Sequence, residues 1–138
     1  MLFLAALLQV AHADSLTCDA VSGPKLRYEE WSKSGGAAPG PDTVMRTLGW
    51  TLDGVSLYTR SETYLSGVPA ATGDLDWQWD LASRKGKGPS NQGFAPEVTT
   101  TYTADVTVWT RSGRPLSGDA SRLTLTMACT QVRQYGVP

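Results

Sequence analysis

Residues 48–59 read LGWTLDGVSLYT and contain the clearest structural signal in the chain. Apolar residues alternate with small or polar ones on both sides of Asp53-Gly54, which is the two-residue period of a half-buried strand. Asp-Gly between two alternating runs is typical of a hairpin with a type I′ turn, because both central residues of that turn take a positive φ. A two-residue turn predicts these cross-strand pairs on one face: Leu52 with Val55, and Trp50 with Leu57.

The same period continues in the stretch 74–81, which reads DLDWQWDL. A slip of one residue would expose two indoles and bury three carboxylates, so the register of this strand is strongly specified. We therefore expect four side chains on the core face: Leu75, Trp77, Trp79 and Leu81.

Four further segments alternate in the same way and predict strands: 16–20, 25–31, 98–110 and 122–132. In the Thr-rich strand 98–110 the side chains expected to point inward are Tyr102, Ala104, Val106 and Val108. Those expected to point outward are Thr99, Thr101, Thr103 and Thr107. In the last strand, Leu123, Leu125, Met127 and Cys129 share one face.

Two segments, 32–42 and 84–96, are rich in Gly, Pro and small polar residues and predict long loops. No stretch of ten residues has a convincing helical period. The pattern predicts one all-β domain over residues 14–138, an antiparallel β-sandwich of immunoglobulin-like character with about seven strands. A small closed β-barrel is the alternative.

The first 13 residues read MLFLAALLQVAHA and have the features of a signal peptide. Their apolar run is too short to cross a membrane as a helix, and Ala11-His12-Ala13 has the small-x-small pattern of a cleavage site. Cys18 does not lie in a lipobox. We expect cleavage after Ala13 and a secreted or periplasmic protein without a transmembrane segment; a buried N-terminal strand or helix is the alternative.

Cys18 and Cys129 are the two cysteines of the chain. In an oxidising compartment an even number of cysteines favours a disulfide. We therefore expect a disulfide that joins the first and last strands.

The composition narrows the possible functions. Twelve basic residues against 13 acidic ones give a net charge of −1, which disfavours a nucleic-acid binder. His12 is the single histidine and lies in the predicted leader. The mature chain would then lack the imidazole that Ser-His-Asp or Cys-His catalysis and nearly all zinc sites require. We expect no cofactor and no enzymatic activity.

The carboxylates offer two weaker interpretations. Asp74, Asp76 and Asp80 form a weak candidate Ca²⁺ site, although an extended strand spaces carboxylates about 7 Å apart per two-residue step. Together with Glu29 and Glu30, the same residues are the candidates for a small carboxylate-dependent hydrolase. Glu29 and Glu30 are adjacent on a predicted strand and should point to opposite faces, which makes them a poor pair.

Two tryptophans are out of phase with the apolar residues of their strands and are candidates for binding. Trp31 and Trp109 are expected on the outer face, the latter beside Thr101, Thr103 and Thr107. A basic cluster at a predicted loop tip adds three candidates: Arg84, Lys85 and Lys87. We expect an exported interaction module or structural subunit that binds a protein partner through loops and this Thr/Trp face. A carbohydrate-binding module that uses an exposed Trp is the alternative.

Overall fold

The computed structural model describes residues 12–34, 44–63, 69–87 and 97–135, and these ranges contain strands, turns and bends but no helix. Residues 1–11, which make up most of the predicted signal peptide, lie outside the described residues. The eight strands are β1 (His12–Ala20), β2 (Leu26–Ser34), β3 (Val44–Leu52), β4 (Val55–Thr63), β5 (Ala70–Gly73), β6 (Asp76–Lys87), β7 (Glu97–Trp109) and β8 (Arg122–Tyr135).

Hydrogen bonding joins all eight strands into one antiparallel sheet in the order β5-β4-β3-β2-β1-β8-β7-β6. Strands that are consecutive in the chain pair with each other except β5 and β6, and β1 pairs with β8. The edges of the sheet, β5 and β6, are consecutive in the chain and are separated by Asp74 and Leu75 alone. The predicted all-β antiparallel class is confirmed, with eight strands in one sheet where about seven in a sandwich were expected.

An aromatic cluster fills the core and brings distant strands together. Trp50 of β3 is fully buried, and its ring centroid lies 4.7 Å from that of Tyr28, 5.6 Å from Trp77 and 5.8 Å from Trp79. Because β3 and β6 are far apart in the strand order, these contacts show that the sheet folds back over its own inner face. Such aromatic pairs contribute about 0.5–1.5 kcal/mol each beyond the burial of their area.

The disulfide is present between Cys18 and Cys129, with an S–S distance of 2.07 Å. The two residues are direct cross-strand partners in the β1–β8 ladder, and both are buried. The predicted link between the first and last strands is confirmed. A disulfide of this kind fits an oxidising compartment.

The hairpin at Asp53-Gly54 is confirmed, with φ values of 50° and 80° at the two turn residues. Leu52 pairs with Val55 as predicted, although Val55 is 66% exposed. The predicted pairing of Trp50 with Leu57 is wrong, because β4 contains one extra residue there and Trp50 pairs with Tyr58 instead. This β-bulge places Tyr58 in the core.

A second irregularity changes the end of the 74–81 strand. Leu75 is fully buried, and Trp77 and Trp79 pack against the core as predicted. Leu81 is 79% exposed, so its predicted place in the core is wrong. The register of β6 against β7 shifts between Asp80 and Lys85, and residues 81–84 bulge out of the ladder.

Local hydrogen bonds account for this bulge. The Asp80 carboxylate accepts a bond from the Ala82 N–H (3.1 Å), and the Ser83 hydroxyl donates to the Asp80 carbonyl (2.6 Å). Ser83 Oγ also accepts a bond from the Asp105 N–H at 2.8 Å. Side chains of this type compete with the strand ladder for backbone groups.

Both predicted long loops begin later than expected. β2 continues to Ser34, and β6 continues to Lys87, so Arg84, Lys85 and Lys87 lie on a strand and not at a loop tip. Cross-strand bonding to β7 holds this extension, because Lys85 pairs with Thr103 and Lys87 with Thr101. The remaining loop residues, 35–42 and 88–96, lie outside the described residues.

Candidate functional site

The outer face of the sheet is rich in small hydroxyl side chains, because the outward positions of neighbouring strands line up in rows. One row crosses seven strands, from β7 to β5: Thr101, Thr130, Thr17, Glu29, Gly49, Thr59 and Thr72. The next row runs beside it: Thr99, Val132, Ser15, Trp31, Thr47, Ser61 and Ala70. Neither row is apparent from a single strand, since each depends on the register of six ladders.

A depression of about 750 Å³ lies on this outer face across β1–β5. Gly49 is among its lining residues and has no side chain to fill it, while Thr47, Thr59 and other Ser and Thr residues surround it. Trp31 also lines the depression and is 37% exposed. We call this surface the outer depression.

Trp31 occupies a special place on this surface, because it lines a second depression of about 330 Å³ as well. Ser15 and Val132, its neighbours in the same row, line that second depression with it. An accessible indole between two adjoining depressions is a rigid apolar contact surface. The prediction that Trp31 points outward is confirmed.

Paired charges lie at the outer depression. Arg27 donates to Glu29 at 2.5 Å and lies 3.1 Å from Asp19, and all three side chains are exposed. The hydrogen bond that Arg27 donates to Glu29 raises the pKa of Arg27, with smaller contributions from Asp19. Exposed pairs of this kind add little stability. They present both signs of charge to solvent beside the hydroxyl rows.

Trp109 also lies on the outer face, but its ring is partly covered. It is the cross-strand partner of Arg122, whose guanidinium carbon lies 4.9 Å from the ring centroid. The row that contains Trp31 reaches β7 at Thr99. Thr99 is ten residues from Trp109, a distance of about 33 Å along the strand. The structure therefore does not bring the two tryptophans together.

The threonines expected beside Trp109 do point outward. Thr107 shares a hydrogen bond of 3.0 Å with Thr124, and the Thr103 hydroxyl contacts the Lys85 carbonyl at 3.4 Å. Thr101 lies in the same row as Gly49 of the outer depression, four strands away.

The inner side of the sheet contains a separate cavity of about 370 Å³, which we call the inner cavity. Aromatic and aliphatic side chains form most of its wall, and four charged residues line it: Glu30, Arg46, Arg60 and Arg84. The Glu30 carboxylate accepts bonds from the Tyr28 hydroxyl (2.8 Å) and from Arg46 (2.6 Å). Burial, with the nearby charge of Glu30, strongly raises the pKa of Tyr28.

Glu30 and Arg84 were expected in other roles from the sequence, and Arg46 and Arg60 were not identified. Glu30 lies two residues after buried Tyr28, Arg46 two before buried Leu48, and Arg60 two after buried Tyr58. The sequence signal that could have identified these lining residues is a charged residue at a position where the two-residue period of the strand calls for an apolar one. For Arg60 that signal was hidden, because the bulge in β4 reverses the phase after Ser56.

The carboxylates of the weaker interpretations have separate partners. Asp74 accepts bonds from the hydroxyl and the N–H of Ser112, and the hydroxyl bond lowers the pKa of Asp74 most. Asp76 forms a two-bond pair with Arg111 at 3.0 and 3.1 Å. Within the described ranges, no three Asp, Glu, His or Cys residues come together as a group suited to hold a metal ion.

No protein-family model, curated protein or solved structure matches this chain. In the part of the chain that the structure describes, no helix has the length and apolar character needed to cross a bilayer.

Proposed function

We propose that the protein is a non-enzymatic binding module, secreted or periplasmic, that binds a protein partner through the outer depression. The observation that carries this proposal is the exposed Trp31 beside a concave surface of about 750 Å³. A tryptophan is among the residues that most often dominate binding energy at protein interfaces. A concave surface allows a protruding partner side chain to lose its contact with water.

The rest of the depression supplies the groups that surround such an anchor. Gly49 leaves room for a partner atom to approach the backbone, since an added Cβ would meet only the Tyr58 carbonyl at 3.5 Å and Thr59 at 3.9 Å. The Ser and Thr hydroxyls can donate and accept hydrogen bonds around it. The paired charges of Arg27 and Glu29 can steer the approach of a partner of mixed charge.

We propose that the protein is exported on the basis of two features. The disulfide fits an oxidising compartment, and the first 13 residues have the pattern of a cleavable leader. Sequencing the N-terminus of the mature protein tests this directly. We expect Asp14 as the first residue, and an intact Met1 on the functional protein would contradict it.

A carbohydrate-binding module is the second candidate, and the hydroxyl rows favour it. An indole can stack on the apolar face of a sugar ring, while Thr47, Thr59 and Glu29 at the depression can bond to sugar hydroxyls. The carboxylate-dependent hydrolase has less support, because Asp74 accepts a hydrogen bond from Ser112 and Asp76 pairs with Arg111.

The test of the proposed function begins with photo-cross-linking in the natural host. A photoreactive residue replaces Thr59 in the outer depression or, as a control, Thr124 on the same outer face. A partner cross-linked from position 59 is identified by mass spectrometry and purified. Its affinity is then measured for the wild type, Trp31→Ala and the matched control Trp109→Ala.

The proposal predicts cross-linking to one protein from position 59 and not from position 124. Trp31→Ala should weaken binding by about 30-fold or more, the range of an interface hot spot. Trp109→Ala should change the affinity less than about threefold. Equal affinities of the wild type and Trp31→Ala would refute the protein-partner proposal. Retention on a glycan array that Trp31→Ala abolishes, with an unchanged melting temperature, would favour the second candidate.

A further inference from the structure

The inner cavity is lined by charged side chains that are partly exposed to solvent, Arg46 by 46% and Arg60 by 41%. Glu30, Arg46 and Arg60 come from β2, β3 and β4, while Arg84 comes from the bulge of β6 on the opposite wall. Four aromatic residues line the same space: Tyr28, Trp77, Trp79 and Tyr102. Charged groups are costly to place against apolar walls unless they have partners.

The positive groups of the inner cavity exceed the carboxylates that pair with them. Arg46 pairs with Glu30 at 2.6 Å, and Arg60 pairs with Glu62 at 3.1 Å. Arg84 has no ion pair with any described residue, and its guanidinium carbon lies 4.0 Å above the centre of the Tyr102 ring. One guanidinium at this cavity is therefore not matched by a carboxylate.

Arg60 supplies a second and independent observation. Its Nε is buried and has no hydrogen-bond partner among the described residues, although Nη2 of the same side chain contacts Glu62. Buried donors in folded proteins nearly always have an acceptor, from the protein, from water or from a ligand. Nε itself has no accessible surface, so a ligand in the inner cavity would contact Arg60 through the Nη groups of its partly exposed guanidinium.

We infer that the inner cavity is a binding site for a small organic anion. Its apolar body would lie among the rings of Tyr28, Trp79 and Tyr102, and its carboxylate would be held by Arg60 and Arg84. A guanidinium recognises a carboxylate well because its N–H groups form a planar fork that matches the two oxygens. The aromatic wall is rigid: the Tyr28 and Trp79 rings meet edge to face at 5.9 Å.

The size and opening of the inner cavity support this class of ligand. Its volume of about 370 Å³ lies at the lower end of the range of small-molecule sites. Leu81 lines it and is 79% exposed, so the cavity opens to solvent at the bulge of β6. The bulge that removes Leu81 from the core therefore also forms the opening of the inner cavity. A polymer would not fit, whereas an aromatic or medium-chain carboxylate would.

Glu30, Leu48 and Arg60 line both the outer depression and the inner cavity, whereas Arg84 and the aromatic wall line the inner cavity and not the outer depression. The inference therefore does not depend on the proposed function, and Arg84 is the variant that separates the two. The test uses the full-length oxidised protein and three probes: 2-naphthoate, decanoate and the uncharged 2-naphthalenemethanol. Binding is followed by isothermal titration calorimetry and by fluorescence of the lining residues Trp77 and Trp79. The variants are Arg60→Met and Arg84→Met, with Arg27→Met on the outer face as the matched control.

We expect at least one carboxylate to bind, and to bind about tenfold or more tightly than the alcohol. Arg84→Met should remove most of that difference, whereas Arg27→Met and Trp31→Ala should leave it unchanged. Arg84 is exposed at an edge strand, so its replacement keeps the test valid even if Arg60→Met fails to fold. Equal affinity for the acid and the alcohol would overturn the inference, as would an equal loss in Arg27→Met. Failure of both carboxylates to bind at about 1 mM would do the same.

Discussion

Replacing both Cys18 and Cys129 by Ala should remove a large part of the stability of this domain. The disulfide closes a loop with a sequence separation of 111 residues. In the chain-entropy account, a loop of that length restricts the unfolded chain by up to about 4.7 kcal/mol. Residual structure in the unfolded chain lowers this value, while the loss of two buried sulfur atoms adds to the cost. We expect a net loss of about 3–5 kcal/mol.

Urea unfolding followed by circular dichroism and tryptophan fluorescence measures this loss. With a typical slope of about 2 kcal/mol per M, the midpoint should fall by about 2 M. The slope itself should rise, because an unfolded chain without the cross-link exposes more surface. The native spectra should stay the same, since β1 and β8 remain joined by their backbone ladder.

The matched control for this experiment is the double variant Thr17→Ala, Thr130→Ala. These residues are cross-strand partners in the same ladder, next to the cysteines but on the outer face. Their replacement should cost less than about 1 kcal/mol, as is usual for surface positions. The reasoning fails if the cysteine variant loses less than about 1 kcal/mol, or no more than this control.

Two further predictions concern Gly73, the last residue of β5, and Asp74, which follows it. Gly73→Ala should destabilise the protein by at least about 2 kcal/mol more than Gly54→Ala in urea unfolding. Both glycines have a positive φ, but an added Cβ would overlap a neighbouring group, the Leu57 carbonyl, only at Gly73. Equal losses would contradict this. Asp74→Asn should lower stability at pH 7 and lower it less near pH 2. The Ser112 hydrogen bond lowers the pKa of Asp74 below its ordinary 3.8, so its stabilising effect is present above that value and is lost as pH falls through the lowered pKa. Urea unfolding at both pH values checks this, and an equal difference at pH 2 and pH 7 would count against it.

The predicted phase of the strands was right wherever the ladders are regular. Trp50, Val106 and Met127 are buried, and Trp31 points outward, because successive side chains of a strand alternate between faces. It failed at Leu57 and Leu81, where a bulge adds residues to one strand and reverses or interrupts the alternation. A bulge depends on which hydrogen-bonding groups the neighbouring strand presents, and that strand can lie far away in the sequence.

The candidate site, like the fold, was predicted from the sequence only in part. Trp31 was predicted to be an outward aromatic, but the outer depression around it requires the register of five strands. Trp109 has the same local signal, yet Arg122 covers part of its ring because the two residues meet across the β7–β8 ladder. The inner cavity was missed, since its lining residues come from strands that meet only when the sheet folds back on itself.

Local alternation and the Asp53-Gly54 turn were sufficient to establish an all-β chain with Trp50, Trp77 and Trp79 in or against the core. The cysteine pair was sufficient to predict its cross-link. Those inferences rest on periodicity and on backbone preferences that act within a few residues. The order of the strands, the bulges in β4 and β6 and the charged residues that line the inner cavity depended on tertiary structure. They arise from pairing and packing between segments far apart in the chain, for which a single sequence contains no short-range signal.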